Sequence, residues 1–317
     1  MVWKGAILVL AAAAPGAGAG RPCHRMFAAP PAASPCGACA DCHADVHGEW
    51  LDSAHARAFT DPVFQQALAA RSRPELCLPC HVPDSVLDRL GHLPRARDAA
   101  RDEGVHCAAC HRTGDTVHGP HDVRTDAHPT VRDGTFSRTG STLLCRGCHD
   151  LRIADVLPLA RDFDRAGFLA DDESCVGCHM ERTARTPAAG GPPRSGRSHR
   201  LLGPADAAFC ASALLLRAER QKGGVPVLVI HNGAGHGVPG LARLRSFAVH
   251  AVLLDADGRS LASRDLAISS ADRLLADEDR RVGLPAVAGA VALSVRVDHW
   301  FLGKKIATVV DKTLELP

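Results

Sequence analysis

Ten of the thirteen cysteines in this chain stand in one repeated arrangement, Cys-x-x-Cys followed at once by histidine. It occurs as CADCH (Cys39, Cys42, His43), CLPCH (Cys77, Cys80, His81), CAACH (Cys107, Cys110, His111), CRGCH (Cys145, Cys148, His149) and CVGCH (Cys175, Cys178, His179). Successive first cysteines lie 38, 30, 38 and 30 residues apart, an alternation that suggests a duplicated two-motif unit. Two thiols at this spacing can add to the two vinyl groups on one edge of a porphyrin. A histidine directly after the second thiol then lies under the iron and offers it a ring nitrogen. This is the attachment signature of c-type haem. The expectation is five haem c groups, with the ten cysteines as thioethers and His43, His81, His111, His149 and His179 as proximal iron ligands.

Two other chemistries use such pairs. Tetrahedral zinc does not demand histidine directly after the second cysteine in every copy. A redox dithiol needs one motif on a βαβ unit, not five in a loop-rich array. Cys23, Cys36 and Cys210 stand outside the motifs. Three is an odd number, so at most one disulfide can form among them; Cys23 with Cys36 is the nearest pair, and connectivity is not readable from sequence.

Five irons also present five opposite faces. Thirteen histidines remain for them: His24, His47, His55, His92, His106, His118, His121, His128, His199, His231, His236, His250 and His299. Beyond the start of the chain the only methionines are Met26 and Met180. Ligation by two histidines is therefore the default, and it implies low potentials, because methionine ligation raises them.

The stretch CADCHADVHGEWLDSAHA, with Cys39, Cys42, His43, Trp50, Ser53, His55 and Ala56, resembles the first haem motif of the cytochrome c-554-type multihaem cytochromes. The likeness continues through GVHCAACH, DAHPT around His128, SCVGCHM, SHRLLG around His199 and NGAGHGVPG around His236, and so covers most of the chain after residue 36. In that family the histidine at the place of His55 is a distal ligand to another haem. Departures exist. The family often has tyrosine where His47 stands, and a Gly-Gly-His-Asp run where this chain reads Gly203-Pro204-Ala205-Asp206.

The distal candidates are His55, His128, His199 and His236, with His118 preferred over His121 as the fifth. His47 shares a helical face with His43 and suits hydrogen bonding more than ligation. His106, directly before a haem cysteine, reads as a supporting donor. His92, His250 and His299 read as ordinary polar or sheet positions, His231 as a structural strand end and His24 as part of a flexible start. For the GAGHGVPG loop the plain alternative is a glycine-rich turn.

The elements that must hold these residues follow from composition and periodicity. Lys4, the apolar run Gly5 to Ala14 and the small residues Ala17-Gly18-Ala19 read as a cleaved secretory signal over residues 1–19. That run is too short to span a bilayer, which needs about 20 apolar residues. No other membrane span is expected, and the mature protein is expected to be exported, periplasmic in a bacterium. Residues 20–35 read as a disordered lead, 36–185 as a loop-rich, short-helix domain with the five motifs, and 186–204 as a linker rich in Pro and Gly. Helices are expected in VHGEWLDSAHARAF, in DPVFQQALAARS with Asp61 as cap and Pro62 first, and in DSVLDRLG ending at Gly91. Residues 205–317 alternate apolar and polar around turns at Gly223-Gly224 and Asp257-Gly258, which predicts a β-sandwich-like domain. The fold class is α+β.

Composition agrees with a cofactor-filled core. Aromatic residues make up 4% and tyrosine is absent, so large apolar discs would supply the missing bulk. A net charge of +2 argues against nucleic acid as a partner. Up to roughly ten haem propionates would make the loaded surface more acidic than the chain alone. The first functional expectation is electron transfer along closely spaced haems, with redox proteins or a quinol-linked complex as partners. The alternatives are a reductase of a small nitrogen or sulfur compound at one five-coordinate haem, and a structural subunit of a respiratory complex. No Cys-x-x-Cys-Lys occurs, which weakens the reductase alternative.

Overall fold

The computed structural model describes residues 35–137, 141–152, 156–167, 174–240 and 244–317. The expected signal, Cys23, His24 and Met26 lie outside these residues. The motif region opens with helices α1 (Pro35–Ala40), α2 (Ala44–Leu51), α3 (Pro62–Ala69), α4 (Leu78–His81) and α5 (Cys107–His111). A small sheet of β1 (Arg112–Thr113), β2 (Thr116–Gly119) and β3 (Thr130–Arg132) follows, then α6 (Ser141–His149), α7 (Leu159–Ala166) and α8 (Cys175–His179).

Each motif folds as about one helical turn. Residues three and four apart share a helix face, so one turn sets both thiols and the following histidine on the same side. In the first motif this turn joins α1 to α2, with Cys42 N–H and His43 N–H both donating to Cys39 O at 3.2 and 2.8 Å. Helices this short are marginal alone, and two have caps: Ser174 Oγ accepts from Gly177 N at 2.9 Å, and His106 Nδ1 accepts from Ala109 N at 3.1 Å. His106 thus accepts at Nδ1, which leaves its Nε2–H for the donor role read from sequence. Asp61 caps α3 as expected, accepting from Phe64 N at 3.0 Å. The helix expected through Phe59 stops at Leu51 and continues as turns, and DSVLDRLG keeps only a tight turn over Leu87–Arg89.

The stretch read as a linker is not a free connector. β4 (Arg182–Arg185) and β5 (Arg194–Arg197) pair antiparallel across it. Its loop folds back on the first motif, where Ala189 N donates to Cys42 O at 2.7 Å. Proline and glycine signal the turn correctly, but the flanking arginine, serine and threonine backbones keep their N–H and C=O groups free to pair.

Helix α9 (Ala207–Ala213) precedes strands β6 (Leu214–Arg220), β7 (Pro226–Asn232), β8 (Arg245–Leu254), β9 (Ser260–Ser269), β10 (Asp279–Gly283), β11 (Ala292–Phe301) and β12 (Lys304–Glu315). They form two antiparallel sheets, β10-β7-β6 and β12-β11-β8-β9. Alternate residues Phe247, Val249, Ala251 and Leu253 of β8 and Leu293, Val295 and Val297 of β11 meet Leu214, Leu216, Leu228 and Ile230 of the opposite sheet in one core. That is the period-two burial of a sandwich. The terminal region is therefore α9 plus a sandwich, within an α+β whole. Among the described residues, no helix is long and apolar enough to cross a membrane.

Candidate haem sites

Four of the five motif histidines direct Nδ1 at a backbone carbonyl. His43 meets Pro187 O at 2.6 Å, His81 meets Ala58 O at 2.5 Å, His111 meets His118 O at 2.9 Å and His179 meets Leu202 O at 2.5 Å. A ring nitrogen facing a carbonyl carries the proton and donates it. The Nε2 lone pair is then free, which is the tautomer and orientation a metal ligand requires.

Four of the five also face a second histidine. His43 opposes His128 with ring centroids 6.5 Å apart, His149 opposes His55 at 6.2 Å, His111 opposes His199 at 6.0 Å and His179 opposes His236 at 6.2 Å. Metal–nitrogen bonds of roughly 2 Å from each imidazole to one shared ion place the centroids roughly 6 Å apart. Among the described residues, no three His, Cys, Asp or Glu side chains come together as a metal-binding group. The facing pairs would suit a metal that takes two imidazole nitrogens from the protein; a tetrahedral zinc site needs four ligands. The residues present therefore fit an iron held between paired histidines.

The opposing histidines have supports of their own. His128 Nδ1 lies 3.0 Å from Thr130 Oγ1, His199 Nδ1 3.0 Å from Arg197 O and His236 Nδ1 3.1 Å from Gly237 O. Val105 N–H donates to His55 O at 2.8 Å, and Trp50 Nε1 donates to Val105 O at 2.8 Å. Gly104 makes this approach possible: its φ is +56°, and a Cβ there would lie 2.3 Å from His55 O. Asn232 is fully buried and holds the loop of His236, donating from Nδ2 to His236 O at 2.9 Å and to Leu274 O at 3.0 Å. Neither Asn232 nor Glu49, which accepts from His199 N at 2.8 Å, carries a sequence signal of this role. Burial pushes His55, His149 and His199 down to about 4, so all three are neutral near pH 7.

His81 differs. Among the described residues no histidine ring faces it at that spacing; Phe64 of α3 stacks on its ring at 3.6 Å and 7°. His118, expected to oppose an iron, points Nδ1 at Asp133 Oδ2 at 2.8 Å and gives its backbone carbonyl to His111. The short β2 strand that carries it turns the side chain toward Asp133, in the turn after β3. Of the remaining histidines, His47 packs on Trp50, His231 and His250 pair with Asp279 and Asp265, and His299 is buried beside Arg245.

Cys42 is engaged in a disulfide, and the other nine motif cysteines are not. The expected thioether of Cys42 first requires a two-electron reduction of that bond by an external dithiol, which returns the Cys42 S–H and leaves the reductant as a disulfide. Cys36 is also a free, buried thiol, 3.5 Å from Cys107 Sγ, so it takes no part in the pairing with Cys23 that sequence left open. Thiols of different motifs touch. Cys39 hydrogen-bonds Cys107, Cys80 hydrogen-bonds Cys148, and Cys145 hydrogen-bonds Cys175. The first motif thus abuts the third, and the fourth abuts both the second and the fifth.

Residues 38–112 match the family model described as cytochrome c554 and c-prime. The chain contains a c-type cytochrome domain. A penta-heme cytochrome c552 from Thermochromatium tepidum shares the fold, with a TM-score of 0.61 at 19% sequence identity over 87% of this chain and 97% of that one. No curated protein matches the chain.

Proposed function

We propose that this chain is an exported multihaem cytochrome that moves electrons through five covalently bound haem c groups. The observation that carries this is the set of four motif histidines, each facing a second histidine at 6.0 to 6.5 Å. Haem supplies one-electron chemistry when bound; the protein supplies position, ligands and surrounding charge. In attachment, each thiol S–H adds across a vinyl group: a C–S bond forms, the hydrogen goes to the neighbouring carbon, and no oxidant is consumed. His43, His81, His111 and His179 present Nε2 because their Nδ1 protons are held by carbonyls. His128, His55, His199 and His236 supply the second nitrogen to the motifs of His43, His149, His111 and His179. The thiol contacts between motifs would bring neighbouring sites together, the first with the third and the fourth with both the second and the fifth. Short steps of this kind suit electron hopping, with other redox proteins as donors and acceptors.

His81 supports a second role at the same protein. Among the described residues no histidine faces it, and Phe64 stacks on its ring; a haem iron held by His81 would then lack a second histidine and could take a small nitrogen or sulfur compound for reduction.

Pyridine haemochrome analysis and intact mass of the exported protein test attachment, with five haems as the expected result. Electron paramagnetic resonance of the oxidised protein tests ligation. Four low-spin signals and one high-spin signal that moves on adding nitrite or hydroxylamine are expected. Bound zinc without porphyrin would sink the proposal, and five low-spin signals would remove the second role alone.

A further inference from the structure

Arg185 ends strand β4 and turns inward beside the pair His111 and His199. Its side chain is only 11% exposed. All its bonds use one nitrogen: Nη2 donates to Arg197 O at 3.0 Å, stands 3.4 Å from His199 Nδ1 and lies 3.5 Å from Glu49 Oε2. Nε and Nη1 are buried and have no hydrogen-bond partner. Guanidinium always carries its charge and offers five N–H donors. Each buried donor left unpaired costs about 1–3 kcal/mol, more on a charged group. Glu49 is the one carboxylate within ion-pair distance among the described residues, and its Oε2 already accepts the His199 N–H at 2.8 Å. The site therefore asks for further anionic oxygen at Nε or Nη1 of Arg185.

We propose that Arg185 binds a carboxylate of the porphyrin held between His111 and His199, and that Glu49 orients it. The inference rests on the haem reading above. Arginine suits the task because its donors are directional and its charge is fixed. The same cation lies beside the imidazole of His199, where positive charge favours the reduced, less positive iron. Arg185 is thus a positioning residue that raises the midpoint potential of this one site, and Glu49 moderates it.

The test is a potentiometric titration of the holoprotein followed by electron paramagnetic resonance, in wild type, Arg185→Gln, Arg185→Lys and Glu49→Gln. His199→Ala identifies the signal to follow, because its low-spin line is the one lost. In Arg185→Gln the reduced-to-oxidised ratio of that site at fixed potential is expected to fall about tenfold, equal to about 59 mV for one electron. Arg185→Lys keeps part of the effect, and Glu49→Gln moves the same site in the opposite direction. Resonance Raman should show a shifted propionate bending band in Arg185→Gln. Unchanged midpoints, a common shift of every haem, or shifts of the same sign in Arg185→Gln and Glu49→Gln would overturn the proposal. If Arg185→Gln does not fold, Arg185→Lys and Glu49→Gln still decide it by their signs. A wild-type protein without porphyrin at the third motif would overturn the haem reading itself, and haemochrome analysis separates that case from the others.

Discussion

The ring of His55, in the turn after α2, faces the ring of His149 in α6 at 6.2 Å, although the two lie 94 residues apart in the chain. The backbone carbonyl of His55 is fixed by the N–H of Val105, and Gly104 lets the two segments meet. A residue beside the first motif is thus placed on the fourth by the approach to the third.

His55→Ala is expected to convert one low-spin haem to high-spin, read in the visible spectrum and by electron paramagnetic resonance. His55→Met should keep six-coordination at that site and raise its potential. Gly104→Ala, whose Cβ would press on His55 O at 2.3 Å and Ala56 O at 2.7 Å, should produce the same high-spin signature without touching the ring.

Asn232 ties the sandwich to the loop of His236. Asn232→Ala removes donors to His236 O and Leu274 O and the acceptor for Ala234 N. Buried groups left unpaired make this about 3 kcal/mol of lost stability. A lowered urea midpoint is expected, together with a high-spin signal from the site of His179. A wild-type spectrum in Asn232→Ala would show that the loop does not carry a ligand.

Asp162 of α7 and Arg273 of the sandwich form an ion pair at 2.5 Å, 8% and 14% exposed, beside Gly237. Asp162→Asn should cost about 3–5 kcal/mol, because it leaves the arginine buried and unpaired. Replacing both by apolar residues of similar volume should cost less. Chemical denaturation followed by near-ultraviolet circular dichroism measures both.

Acid should weaken the fold through the buried histidines. His55, His149 and His199 are held down to about 4 by burial, against about 6.5 in an unfolded chain. Between these values the unfolded state binds more protons, so stability rises with pH. The contribution is fully present above about pH 6.5 and is lost as pH falls toward about 4. Ligation works in the same direction, since iron also needs neutral imidazole. Urea midpoints measured from pH 7 to pH 4 should fall throughout that window; a flat profile would refute the burial of these rings.

Much of this was legible in the residues. The Cys-x-x-Cys-His copies announce their own helical turns, since the i, i+3 and i+4 spacing is local. Asp61 and Pro62 mark the start of α3, and the alternation in β8 and β11 gives the sandwich. His55, His128, His199 and His236 each stand opposite a motif histidine. The β4–β5 pairing within the stretch read as a linker was not legible, because composition reports turns and not pairing, and this pairing depends on a register formed across the loop. For His118 proximity in sequence to the third motif says nothing of the side-chain direction, which β2 and Asp133 set: its Nδ1 meets Asp133 Oδ2, and its ring faces no motif histidine among the described residues.

By itself the sequence determined the chemistry on offer: which thiols, which histidine directly follows each pair, and an apolar-alternating region able to close a core. Tertiary structure decided which histidine faces which motif, that Phe64 and, among the described residues, no histidine lies on the His81 ring, and that Arg185 is buried with donors to spare. The physical reason is distance along the chain. The facing pairs are 57 to 94 residues apart, so their meeting depends on how α2, the Gly104 turn, the β4–β5 hairpin and the sandwich pack together, and no local pattern records that packing.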